Sequence, residues 1–189
     1  MKIKGSLKLF EFLQIITPAT FDSEVFENIL TTIGKKPAKK LDGKAIPDNL
    51  DKITFGQYVD LQVLKTNEDT IFKPAEIIMG VKRERLLQCS IYEVFSFVLF
   101  IKKEIERIVK LWKKIKYHPS PEELKAGSGK INHGFFGMAD WYAKRMGITD
   151  QQIVFDTVPW ITLYMCMKMD NDNIGFEKRY RKILSEKKK

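Results

Sequence analysis

Few residues of this 189-residue chain have the types and spacing that chemistry demands. Gly127-Ser128-Gly129-Lys130 carries part of a phosphate-loop pattern, in which backbone N–H groups cradle phosphates and a lysine reaches the terminal ones. The full pattern needs a first glycine where Leu124 stands and Ser or Thr where Ile131 stands, so a turn is expected. Asp170-Asn171-Asp172-Asn173-Ile174-Gly175 has the opening of a calcium loop. Ile174 and Arg181 occupy two positions that must supply oxygen, so this too reads as a turn. His118 and His133 have no Cys or His at metal-ligand spacing, and zinc needs three or four protein ligands. Met165, Met167 and Met169 read as core filler of a helix and not as a metal box. Cys89 and Cys166 form no C-x-x-C pair and fit buried thiols in a reducing compartment. No metal, no cofactor and no enzymatic activity are expected from these residues.

Charge is the stronger signal. The net charge of +9 is unevenly spread. The stretches Lys35–Lys44, Lys102–Lys116 and Glu177–Lys189 hold 19 of the 33 basic residues and 5 of the 24 acidic ones, which leaves the remainder net acidic. Such segregation predicts basic surfaces on an acidic body, facing nucleic acid, an acidic protein or solvent alone. Lys102, Lys103, Arg107, Lys110, Lys113 and Lys114 form the candidate binding face. Lys35, Lys36, Lys39 and Lys40, with Arg179, Arg181 and Lys182, are candidate oligomer contacts. Trp112 and Tyr117 interleave with the central lysines, but no helix-turn-helix, zinc-finger or RNP pattern appears. Salt-sensitive contact with a nucleic-acid backbone is the most this pattern predicts.

These residues are positioned by one long stretch. Val94, Val98, Ile101, Ile105, Ile108, Trp112 and Ile115 recur at alternating spacings of four and three, which predicts a central helix over about 90–116. Ser90 with Glu93 forms its capping box. The half from Val94 to Ile101 is apolar nearly all round and should lie in a core, whereas the later half carries lysines outside its seam. Its apolar run is too short to cross a membrane. At the N-terminus, Lys8 and Glu11 interrupt what would be the apolar core of a signal peptide.

Around this helix the pattern predicts further helices over Ser6–Ile16, Ser23–Ile33, Phe55–Leu64, Ala75–Met79, Phe135–Met146, Asp150–Phe155, Val158–Met169 and Ile174–Ser185. Capping boxes are expected at Thr54/Gln57, Ser120/Glu123 and Thr149/Gln152 as well. Lys35–Pro47 reads as a mobile basic linker and Lys65–Thr70 as a polar turn. The fold class is therefore all-α, a single helical domain. The Gly- and Pro-bearing stretch 117–134 is the candidate hinge between residues 1–116 and a C-terminal lobe, 135–189.

Ile53–Gln62 (ITFGQYVDLQ), followed by a Pro-led segment and the long aromatic-rich helix, resembles small structural and assembly proteins of tailed phages of the Bacteroidetes. The block Ala139–Tyr180 is similar to the same group, with the nearest likeness to ring proteins of crAss-like phages that stack below the portal in the neck. This resemblance implies a homo-oligomeric ring in the virion neck or tail, made in the host cytoplasm. It would contact portal, other neck and tail proteins and, without sequence specificity, packaged DNA, with no membrane. The same blocks also fit a tail-assembly chaperone that binds the tape-measure protein. A sequence-nonspecific nucleic-acid-binding protein is the third reading.

Overall fold

The computed structural model describes residues 7–15, 23–33, 37–115, 119–130 and 132–186. Among them ten helices and one two-stranded hairpin follow in the order α1 (Leu9–Ile15), α2 (Ser23–Ile33), β1 (Lys40–Leu41), β2 (Lys44–Ala45), α3 (Phe55–Gln62), α4 (Asn67–Met79), α5 (Arg83–Leu86), α6 (Ile91–Trp112), α7 (Pro121–Lys125), α8 (Gly134–Met146), α9 (Gln151–Thr157) and α10 (Trp160–Glu186). The all-α class is what the helical periodicities predicted. The chain forms two compact units, Met1–Leu50 with Gln57–Arg107, and Asp51–Gly56 with Ile108–Lys189. Their boundaries fall after Leu50, inside α3 and inside α6.

The first unit is built on the apolar half of α6. Ile91, Val94, Phe95, Phe97 and Val98 are buried, as an all-round apolar helix half requires. Phe95 takes the edge of Phe12 at 5.5 Å and meets Phe26 at 6.2 Å, which ties α1 and α2 to the same core. The expected capping box starts the helix: Glu93 N–H donates to Ser90 Oγ at 3.2 Å and Ser90 N–H to Glu93 Oε2 at 3.2 Å. Leu9 N–H donates to the Cys89 carbonyl and Ile91 N–H to that of Leu7, so the entries of α1 and α6 are stitched together.

The stretch Lys35–Pro47 is no mobile linker over its described part. It folds into the β1–β2 hairpin, with Asp42 at φ 49° and Gly43 at φ 75° in the Asp-Gly turn whose positive φ values match strand twist. Leu41 is fully buried, Arg85 grips the Asp42 carboxylate with two bonds of 2.8 and 3.2 Å, and Lys44 Nζ donates to the Met79 carbonyl at 2.8 Å. That last bond satisfies the C-terminal end of α4, which Gly80 closes in the left-handed conformation. Nor is Lys65–Thr70 a turn. Thr66 caps α4, its hydroxyl accepting from Asp69 N–H at 3.0 Å, and Pro74 sits inside the helix.

Tyr58, on α3, is buried, and that burial pushes its hydroxyl up to about 12 from 10. Folding thus favours the protonated phenol. The resulting stability is complete below pH 10 and is lost as pH rises toward 12, because the unfolded chain ionises first. Denaturant titrations between pH 8 and 12 (~0.5 pH steps) are expected to show stability falling across that window. Tyr58→Phe should flatten the fall; an unchanged slope would rule Tyr58 out as its source.

In the second unit the chain entering α3 is bonded to the start of α10. Phe55 N–H donates to the Val158 carbonyl at 2.7 Å and Trp160 N–H to that of Ile53 at 3.2 Å, flanking an antiparallel bridge between Thr54 and Pro159. Phe55 is fully buried between Phe135 and Phe155. Trp160 is also fully buried, with Trp112 and Tyr164 around it. The expected box at Ser120/Glu123 is present on α7. At α9 the cap is Asp150, whose carboxylate accepts from Gln152 N–H, and not Thr149.

Both long helices differ from expectation in length. α6 spans 22 residues and ends at Trp112, short of the expected 116; Lys113 and Lys114 lie in a turn. Its last bonds, from Lys114 N–H to Leu111 and Ile115 N–H to Trp112, tighten to three-residue spacing as helices often do where they stop. α10 runs unbroken for 27 residues through Asp170–Asn173, which the sequence read as a turn. The carboxylates that suggested a break support the helix instead. Asp172 pairs with Lys168 one turn back at 2.8 Å, and Asp170 pairs with Arg145 of α8.

Candidate interaction surfaces

The predicted basic face is only partly available. In the first unit Lys102 Nζ lies 2.6 Å from Glu27, and Arg107 binds Glu104 through two bonds of 3.0 and 2.8 Å. Glu104 also accepts from Leu50 N–H at 2.9 Å, so this carboxylate fixes the chain leaving the hairpin. Arg107 thus helps hold a loop. Lys103 is exposed, as are Lys110, Lys113 and Lys114 in the second unit. Lys39 and Lys40 are exposed at the start of the hairpin. Arg179, Arg181 and Lys182 are exposed on α10, with Arg181 paired to Glu177 at 3.3 Å. Lys35 and Lys36 lie outside the described residues, as does His118.

No group of three or more His, Cys, Asp or Glu side chains is placed to hold a metal among the described residues. The calcium-loop sequence is wound into α10, where its oxygens cannot converge on one cation. His133 is exposed at the N-terminus of α8. Burial pushes the Cys89 thiol up, away from the thiolate a nucleophile needs. No helix is long and apolar enough to cross a membrane among the described residues.

Two surfaces escaped the sequence reading. One is a groove of about 330 Å³ in the first unit, between α2, α3, α4 and α6. Leu30, Leu61, Val98, Ile101 and Ile105 line it, and the Glu27–Lys102 pair stands at its edge. Its residues come from four separate helices, which no local pattern joins.

The other surface is α10 itself. Trp160, Leu163 and Tyr164 are buried, but no residue from Met165 to Glu186 is. Met165 and Met169 are therefore not core filler; they are 50% and 55% exposed. Phe176 at 61%, Tyr180 at 52% and Ile183 at 52% continue the same side of the helix. At 100° per residue these five fall within an arc of about 60° and follow the axis for roughly 27 Å. Phe176 and Tyr180 stack in parallel, 7° apart in plane with centroids at 6.0 Å. The signal was present as apolar residues spaced by four, seven, four and three, but the Asp-Asn run concealed it. No family model, curated protein or solved structure matches this chain.

Proposed function

We propose that this protein is a non-enzymatic structural subunit of a tailed-phage virion, a ring or adaptor component between portal and tail that acts by symmetric assembly. The observation that carries the reading is α10, which has no buried residue after Tyr164 and offers five large apolar side chains to solvent. A contiguous exposed apolar stripe on a helix marks a surface that another protein covers. The sequence likeness at Ile53–Gln62 and Ala139–Tyr180 supplies the phage setting, and these residues fold as α3 and as α8 to α10. In such an assembly Lys103, Lys110, Lys113 and Lys114 meet an acidic neighbour or the backbone of packaged DNA, without sequence preference.

Mass photometry and negative-stain imaging of the purified chain mixed with portal test this reading. Ring-shaped density on portal is the expected result. Monomers that never join portal would reject it. The same exposed stripe favours a second reading, a tail-assembly chaperone for the helical tape-measure protein. Mass spectrometry of purified virions separates the two, since a subunit stays in the particle and a chaperone leaves it.

A further inference from the structure

We propose that α10 is a self-pairing helix, its exposed stripe docking antiparallel against the same stripe of a second copy of this chain. The stripe is self-complementary about Ile174. Met165 and Ile183 lie nine residues to either side of it, and Met169 and Tyr180 five and six. An antiparallel partner centred there sets Met165 of one copy beside Ile183 of the other, with the two Phe176–Tyr180 stacks near the middle.

Charge selects both the occupant and its direction. The first half of the helix carries Asp170, paired with Arg145 of α8, and Asp172, paired with Lys168 on an exposed face where the pair can exchange partners. The second carries Lys178, Arg179, Arg181 and Lys182 against Glu177 and Glu186. A parallel pair would stack the basic ends on each other. The antiparallel pair brings Asp172 of one copy within about one turn of Arg179 in the other and opposes the two helix dipoles. A seam of roughly 27 Å is short for a stable interface, so the pair should form with Kd on the order of 10 µM. The contact is isologous, so within the symmetric assembly proposed above α10 joins copies two by two.

Sedimentation velocity on the full chain from about 1 to 200 µM tests the pairing. A concentration-dependent dimer is expected, weakened at least ~10-fold by Phe176→Asp with Ile183→Asp. Both side chains are exposed, so unchanged circular dichroism should show that the fold survives. A monomer at every concentration, or a dimer indifferent to these substitutions, overturns the proposal. Orientation is read by oxidative cross-linking in a Cys166→Ala background. Mixing the Met165→Cys and Ile183→Cys chains is expected to give a mixed disulfide that neither chain forms with itself. Self-linking of Ile183→Cys would instead show a parallel pair and overturn it. The test needs no portal, so its result and that of the portal experiment stand separately.

Discussion

Trp160→Ala is expected to destabilise the protein by ~3–5 kcal/mol, the largest loss predicted for any single side chain here. The indole is fully buried, and Trp112 and Tyr164 are packed around it at centroid distances of 6.4 and 6.2 Å. Trp112 also meets the face of Tyr164 edge-on at 5.3 Å, so the three rings brace one another. Truncation removes the transfer energy of the ring and leaves a void that two rigid aromatics cannot collapse to fill. Urea denaturation should show a lower midpoint. Phe176→Ala, on the open face of the same helix, should change stability by no more than about 0.5 kcal/mol. A Trp160→Ala cost below 1 kcal/mol would mean that this cluster does not hold the second unit together.

Gly56→Val should be nearly as damaging, and Gly56→Ala should reverse the usual sign of such a change. Glycine within a helix ordinarily gives up as much as ~1 kcal/mol relative to alanine, so adding a methyl would normally stabilise α3. At this position a Cβ would stand 2.8 Å from the Phe155 carbonyl oxygen and 3.2 Å from its carbon. These are backbone atoms of α9 and cannot swing aside. The helices must part, which disturbs the Phe55–Phe155 contact at 5.3 Å next to it. Overpacking of this kind costs about 1–3 kcal/mol, and the branched valine should reach or exceed the upper end. Thermal unfolding of both variants checks the order, with Gly56→Ala below wild type and Gly56→Val below that. A Gly56→Ala protein more stable than wild type would show that the two backbones are not in contact.

The central seam was legible because it is long: Val94, Val98, Ile101 and Ile108 repeat one period often enough to exclude other geometries, and all four are buried. The boxes at Ser90 and Ser120 were legible because each needs only four residues. The hairpin was not. Its strands are two residues long, so Leu41 has no alternating neighbours to mark it as buried, and the lysines around it read as linker. At α4 the sequence predicts a helix only from Ala75, although Thr66 and Asp69 hold a cap about two turns upstream. Turn-forming residue types likewise hid the continuity of α10, because Asp170 and Asp172 act there through Arg145 and Lys168, partners that composition cannot reveal. The binding surfaces were the least legible. Lys102 and Arg107 looked available, yet Glu27 lies 75 residues from Lys102 in the chain and Glu104 is shared with Leu50 N–H.

The bonds that join Phe55 to Val158 and Trp160 to Ile53 bear on synthesis, since each spans more than a hundred residues. A ribosome adding ~5–20 residues per second exposes Phe55 on the order of 5–20 s before Val158 leaves the exit tunnel. For most of that wait, until Phe135 and Phe155 emerge, the phenyl ring has none of its final partners from the C-terminal part of the chain. Nascent polypeptide stalled before residue 158 should therefore be caught by hydrophobic-segment chaperones, and chains released after it should not.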